Sequence, residues 1–156
     1  MPIPVHMRDS QALRLSVNAV ARSSSLEVVA EESPRQVLIV DDEQAVRSVL
    51  RRYLSRRGWG VVEAANAEQA LALIAEGTVV IDAVIVDLHM PGLGGAGLCQ
   101  RIATVRPALS SRMILASGDA EAASEALKEK KMVCPVLAKP FELDELERAL
   151  GNMLAH

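Results

Sequence analysis

Val37-Leu38-Ile39-Val40 is an unbroken apolar run that stops at two carboxylates, Asp41-Asp42. A strand with one wet face alternates apolar and polar side chains, so a run without alternation has to be buried on both faces. A central strand of a parallel sheet, covered by helices above and below, meets that condition. The same kind of run returns at Ala83-Val84-Ile85-Val86, at Met113-Ile114-Leu115-Ala116 and, shorter, at Val136-Leu137-Ala138. A weaker strand pattern covers about Gly60 to Glu63. Amphipathic stretches separate these runs. Val46, Val49, Leu50, Tyr53 and Leu54 share one helical stripe, and Gly58 ends that helix. Asn66 predicts an N-cap with Gln69 as its capping-box partner, and Gly77 closes the helix that follows. Further helices are predicted near Gly97 to Val105, over Ala120 to Lys131, and over about Leu143 to Leu154. Successive βα units imply an α/β fold, an open parallel sheet wound on both faces.

Residues 1–34 have a different character. Pro2, Pro4, the run Ser23-Ser24-Ser25 and the acidic Glu31-Glu32-Ser33-Pro34 read as an extension or linker, with a short helix possible over about Ser10 to Ala21. The regular pattern occupies 35–156, and no effector domain is expected after it. Composition narrows the function classes. A formal charge of −3 argues against a nucleic-acid binder driven by overall charge, and three aromatic residues (Tyr53, Trp59, Phe141) are too few for stacking platforms. No apolar run approaches the ~20 residues of a membrane span, and the N-terminus lacks a secretory pattern. Cys99 and Cys134 cannot make a disulfide framework and are expected as reduced thiols. A cytoplasmic protein is the default expectation.

In doubly wound sheets, ligands bind beyond the carboxyl ends of the strands. The first strand ends in Asp41-Asp42, the third in Asp87, the fourth in Ser117 and the fifth in Lys139, followed by Pro140. The second contributes nothing obvious. Each has a plainer reading alone: a helix cap, a turn, an exposed Lys-Pro. Together they place three carboxylates, a hydroxyl and an ammonium on one sheet edge. Clustered carboxylates repel one another, and a hard divalent cation with open coordination positions, Mg²⁺, relieves this. Metal, ammonium and hydroxyl are what the oxygens of a phosphoryl group need around them. Asp87, central among them, is then the natural nucleophile.

These segments resemble the receiver domains of two-component response regulators. The matching stretches are Val37 to Glu43, Val84 to Gly95, Leu115 to Gly118 and Leu137 to Phe141, and the similarity covers about Arg35 to Leu154. The resemblance implies a flavodoxin-like five-stranded sheet of order 2-1-3-4-5, an order for which a receiver is itself a standard example. It implies that Asp87 is the phosphoacceptor, charged from a phosphohistidine on a sensor histidine kinase or histidine phosphotransfer protein. Asp42 and Asp87 would ligate Mg²⁺ directly, Asp41 through water, and the backbone carbonyl of His89 would add a ligand. Ser117 would be the switch hydroxyl and Lys139 the phosphoryl partner, with a cis bond before Pro140. The output surface would be the fourth helix, fifth strand and fifth helix, contacting a downstream protein.

The chain departs from the family pattern at Val136, where an aromatic ring commonly reports movement of the hydroxyl. His89 and Asp119 flank the expected mouth of the site and are candidates for setting the lifetime of the acyl phosphate. Arg47, Arg51 and Arg56 on the first helix are candidates for steering an acidic partner, against the alternative of a solvated charged face. Two other contexts compete. The acidic, Pro-containing linker resembles the joint upstream of receivers in hybrid sensor histidine kinases, so the chain could be a module detached from one. A haloacid-dehalogenase-type phosphatase uses similar groups, but its nucleophile ends the first strand and is followed by a second Asp two positions on. Asp41-Asp42-Glu43-Gln44 lacks that spacing. No enzymatic activity is expected beyond the domain's own phosphorylation and dephosphorylation.

Overall fold

The computed structural model describes residues 34–155. Strands β1 (Gln36–Val40), β2 (Gly60–Ala64), β3 (Ala83–Asp87), β4 (Met113–Ser117) and β5 (Val136–Ala138) form one parallel sheet in the order β2-β1-β3-β4-β5. Helices α1 (Gln44–Arg56), α2 (Ala67–Glu76), α3 (Gly94–Val105), α4 (Ala120–Glu129) and α5 (Leu143–Leu154) follow the strands in turn. The α/β fold and strand order are those the sequence implies.

The unalternating runs are explained by two dry layers. Leu38, Val40, Val84, Val86 and Leu115 pack against α2, α3 and α4 through residues such as Ile74, Leu98, Ile102 and Leu127. Val37, Ile39, Ile85 and Ile114 point the other way and pack against Leu50 and Leu54 of α1 and Leu146 and Leu150 of α5. Each such buried aliphatic side chain contributes roughly 1.5–3 kcal/mol of transfer free energy. The chain runs outward from β1 to β2, then returns past β1 to β3. The loops after β1 and β3 therefore leave in opposite directions and open a crevice above the strand ends.

Several boundaries differ from the sequence pattern. α3 begins at Gly94 rather than Gly97, because Gly92 (φ 80°) and Gly94 (φ 75°) turn the chain sharply into it. Gly95 then lies flat on the end of β3. A Cβ there would overlap the Asp87 carbonyl oxygen and stand 2.7 Å from Leu88 Cα. α4 stops at Glu129 rather than Lys131, which has left-handed backbone (φ 55°). Asn66 caps α2 by accepting the Gln69 N–H at 2.8 Å, but the Gln69 side chain accepts the N–H of Ala65, so the box is not reciprocal. A reciprocal box opens α5 instead, between Glu142 and Glu145. The helix expected over about Ser10 to Ala21 lies outside the described residues. Among the described residues no helix is long and apolar enough to cross a membrane.

Candidate functional site

The strand ends converge as their register requires. Asp41 follows β1 directly, Asp87 is the last residue of β3, and carboxylate oxygens of Asp41, Asp42 and Asp87 lie within 4.8 Å of one another. Asp41 and Asp87 are buried, whereas Asp42 is exposed. Lys139 reaches in from the end of β5, its Nζ 2.9 Å from Asp87 Oδ1 and 3.6 Å from Asp41 Oδ2. The Lys139 backbone N–H donates to the Ser117 carbonyl at 2.7 Å, and the Lys139–Pro140 bond is cis.

Ser117, the last residue of β4, is fully buried. Its Oγ donates to the Asp119 carbonyl at 2.8 Å and accepts the Asp119 N–H at 2.9 Å. The Asp119 carboxylate caps α4 by accepting the Ala122 N–H at 3.0 Å. The segment is thus a turn leading into an N-cap, with the Ser117 hydroxyl bonded inside that turn. The side chain of Asp119 serves the helix terminus. His89 is exposed in the loop between β3 and α3. Val136 is half-buried, opposite Leu115, and packs into the α2–α4 layer.

The electrostatics follow from three carboxylates meeting one ammonium. Burial pushes the Asp41 carboxyl above its ordinary value, the Glu43 N–H bond opposes this, and the neighbouring Asp87 charge adds to it. Burial pulls the Lys139 ammonium down, but the hydrogen bond and charge of Asp87, with Asp41 and Glu43 behind it, outweigh burial and hold it above its ordinary value. Lys139 is thus a retained cation in a pocket with a surplus of negative charge. Hard oxygen donors in that surplus fit a hard divalent cation and would not suit a soft one.

Two residues next to the site are not legible as such in the sequence. Glu63, in β2, accepts from Arg47 Nε at 3.0 Å and from Arg51 Nε through its second oxygen. Arg47 Nη1 also donates to the Asp41 carbonyl at 2.6 Å. The second strand, which offered nothing obvious, therefore buttresses the acidic loop. The available signal was Glu63 itself, the single charged residue of β2, set beside the end of β1 by the pairing of Val40 with Ala64. The same contacts take Arg47 out of the free basic face, while Arg51 pairs with Glu63 and stays exposed. Arg57 stacks over Tyr53 at 4.7 Å and pairs with Glu147 at 3.4 Å, while Arg52 and Arg56 are exposed.

The family model described as "Response regulator receiver domain" matches residues 37–151. Among curated proteins, the response regulator MprA of Mycolicibacterium vanbaalenii is 35% identical over 121 residues, covering 78% of this chain and 51% of that protein. The probable transcriptional regulator ycf27 of Guillardia theta is 34% identical over 123 residues, covering 79% and 46%. The chain thus spans about half the length of these relatives. Among solved structures, a putative response regulator from Chloroflexus aurantiacus superposes with TM-score 0.68 at 35% identity, covering 79% of this chain and 99% of that one. The response regulator TrrA of Thermotoga maritima, solved in complex with Mg²⁺-BeF, gives TM-score 0.67 at 28% identity, covering 77% and 99%. Fold, strand-end chemistry and these likenesses agree, and the chain belongs to the receiver domains of response regulators in two-component signalling.

Proposed function

We propose that Asp87 accepts a phosphoryl group from a phosphohistidine on a sensor histidine kinase or phosphotransfer protein. The observation that carries this reading is the placement of Asp87: a buried carboxylate ending a central strand, held by Lys139 beside two further carboxylates. An Asp87 oxygen attacks phosphorus as the bond to the donor imidazole nitrogen breaks, and the imidazole leaves with the electron pair. Lys139 Nζ exchanges its Asp87 partner for a phosphoryl oxygen. The Ser117 hydroxyl turns from the Asp119 carbonyl to another. Asp42, Asp87, the His89 carbonyl and, through water, Asp41 would hold Mg²⁺, which would supply charge neutralisation. Attack of water on the acyl phosphate reverses the state, so the domain acts chemically only on itself.

The receiver unit is assigned to 35–156, with 1–34 as its extension, in the cytoplasm. A kinase partner would meet α1, where exposed Arg52 and Arg56 flank a depression of about 390 Å³ that also includes Val49, Tyr53 and Leu143. Output would use the α4-β5-α5 surface. With Val136 in place of a ring, the Ser117 movement passes through the β4–α4 turn that Asp119 caps.

The test is intact mass after incubation with a small-molecule phosphodonor and Mg²⁺. One added phosphate that needs Mg²⁺ and is lost in Asp87→Ala is expected. No adduct, with Mg²⁺ binding verified, would leave a contact domain that works without phosphorylation.

A further inference from the structure

Asp41 is held at its N–H, its side chain and its carbonyl, the last being part of the Asp41–Asp42 peptide. The Asp41 N–H donates to the Ala64 carbonyl at 3.2 Å, its Oδ1 accepts the Glu43 N–H at 2.9 Å, and its carbonyl accepts from Arg47 Nη1 at 2.6 Å. Arg47 is itself fixed. Its backbone lies in the first turns of α1, its side chain is 13% exposed, and its Nε is tied to Glu63. Glu63 is in turn held by Arg51, which also reaches the Val61 carbonyl at 3.2 Å. A guanidinium gripped at Nε and Nη1 has its plane set, so it fixes the direction of the carbonyl it holds. The plane of that peptide also sets where Asp42 leaves the chain, and Asp42 is the one exposed carboxylate of the cluster.

We propose that Arg47, clamped by Glu63, is a positioning residue that pre-sets the Asp41–Asp42 peptide for a divalent cation. The inference rests on the reading that the acidic pocket binds Mg²⁺. It assigns the binding geometry partly to α1 and β2, outside the carboxylates themselves. Outer partners that orient metal ligands commonly matter by 10–100-fold in affinity. Arg47 has a property that makes the idea sharply testable: its own charge acts against its proposed effect. A cation beside a cation site opposes Mg²⁺ by Coulomb repulsion. Simple removal of that charge would tighten Mg²⁺ binding, whereas loss of positioning would weaken it.

The experiment is calorimetric titration of the full chain with MgCl₂, alongside amide chemical shifts of Asp42 and Glu43. Arg47→Ala is expected to weaken Mg²⁺ binding about tenfold. Arg47→Lys keeps the charge but loses the planar fork, and should weaken it in the same direction. Glu63→Gln should do so to a smaller degree. Arg51→Ala loosens the outer ion pair without touching Asp41 and should stay within about twofold, which separates positioning from a general loss of structure. Unchanged or tighter binding in Arg47→Ala, or wild-type affinity in Arg47→Lys, overturns the proposal. A wild-type chain that takes up no Mg²⁺ overturns the underlying reading and this inference with it.

Discussion

β3 and β5 each deliver a charged group to the same crevice, yet they are built differently. β3 is paired on both sides, by β1 and β4, and all five of its residues are buried. β5 has three residues, pairs only with β4 and ends in an exposed alanine. Asp87, with the buried Asp41 beside it, is therefore part of the core, and the loop after β1 is reinforced by the Arg47–Glu63 contacts. The lysine half rides on a short edge strand, where local rearrangement costs less. On the proposed reading this division suits a phosphoryl switch, with Asp87 as an acceptor fixed before reaction and Lys139 as a partner that can follow the new group. Lys139 stands on the yielding side and bonds Asp87 across the crevice, whereas Ser117 ends the buried strand β4 and is bonded within its own turn to Asp119.

The harshest way to break the contrast is to disturb the rigid half through its closest approach. Gly95→Ala places a Cβ against the Asp87 carbonyl, against Leu88 Cα at 2.7 Å and against Leu115 Cδ1 at 2.9 Å. Backbone atoms cannot swing aside as a side-chain end can. A loss of about 3 kcal/mol in denaturant unfolding is expected, at the upper end of overpacking costs. Wild-type stability would show that the α3 start slides freely over β3.

A milder pair sharpens the comparison. Val86 in β3 is fully buried, whereas Val136 in β5 is half-buried. Truncation to alanine removes the same atoms from both. Val86→Ala should cost about 2 kcal/mol and Val136→Ala less than about 1 kcal/mol. Equal costs would mean that β5 is packed as firmly as β3, and the contrast between the two halves of the site would fall.

The legibility of the fold follows the same division. β1, β3 and β4 could be read because burial on both faces forces apolar runs, and each run stops at the first residue the crevice needs in polar form. Asp41, Asp42, Asp87 and Lys139 are legible as the residues that end or follow their strands, and the structure brings them together. Ser117 arrives at the same edge, but its present hydrogen bonds are to its own turn. The start of α3 is not legible because glycines at 92, 94, 95 and 97 carry no apolar stripe, and the turn and the close approach to β3 that they allow are matters of backbone geometry. Arg47 looked like its neighbours Arg51, Arg52 and Arg56 on a charged helix. A side chain's partner across the sheet is not encoded in helical spacing, so the clamp on Glu63 was out of reach.

The smallest effect isolates that clamp. The Arg51 hydrogen bond, followed by the contact with Arg47, holds the Glu63 carboxyl below its ordinary value against the opposing effect of burial. A carboxylate whose pKa is lowered on folding contributes stability that is present above its unfolded value and is lost as pH falls through the folded one. Glu63→Gln should therefore be less stable than wild type at neutral pH by under about 1 kcal/mol, as for a partly exposed ion pair. The gap should narrow as pH drops below the usual carboxylate range, because wild-type Glu63 then becomes protonated and resembles the amide. Asp41 moves the opposite way: its raised value makes its charge a cost of folding, which protonation relieves as pH falls. Since Asp41 is present in both proteins, its contribution cancels in the difference, and urea unfolding of the two in parallel from pH 7 downwards reads Glu63 alone. A gap that stays constant into the acid range would assign the loss to packing of the Glu63 stem, and the Arg47 fork would then be holding the Asp41 carbonyl without help from β2.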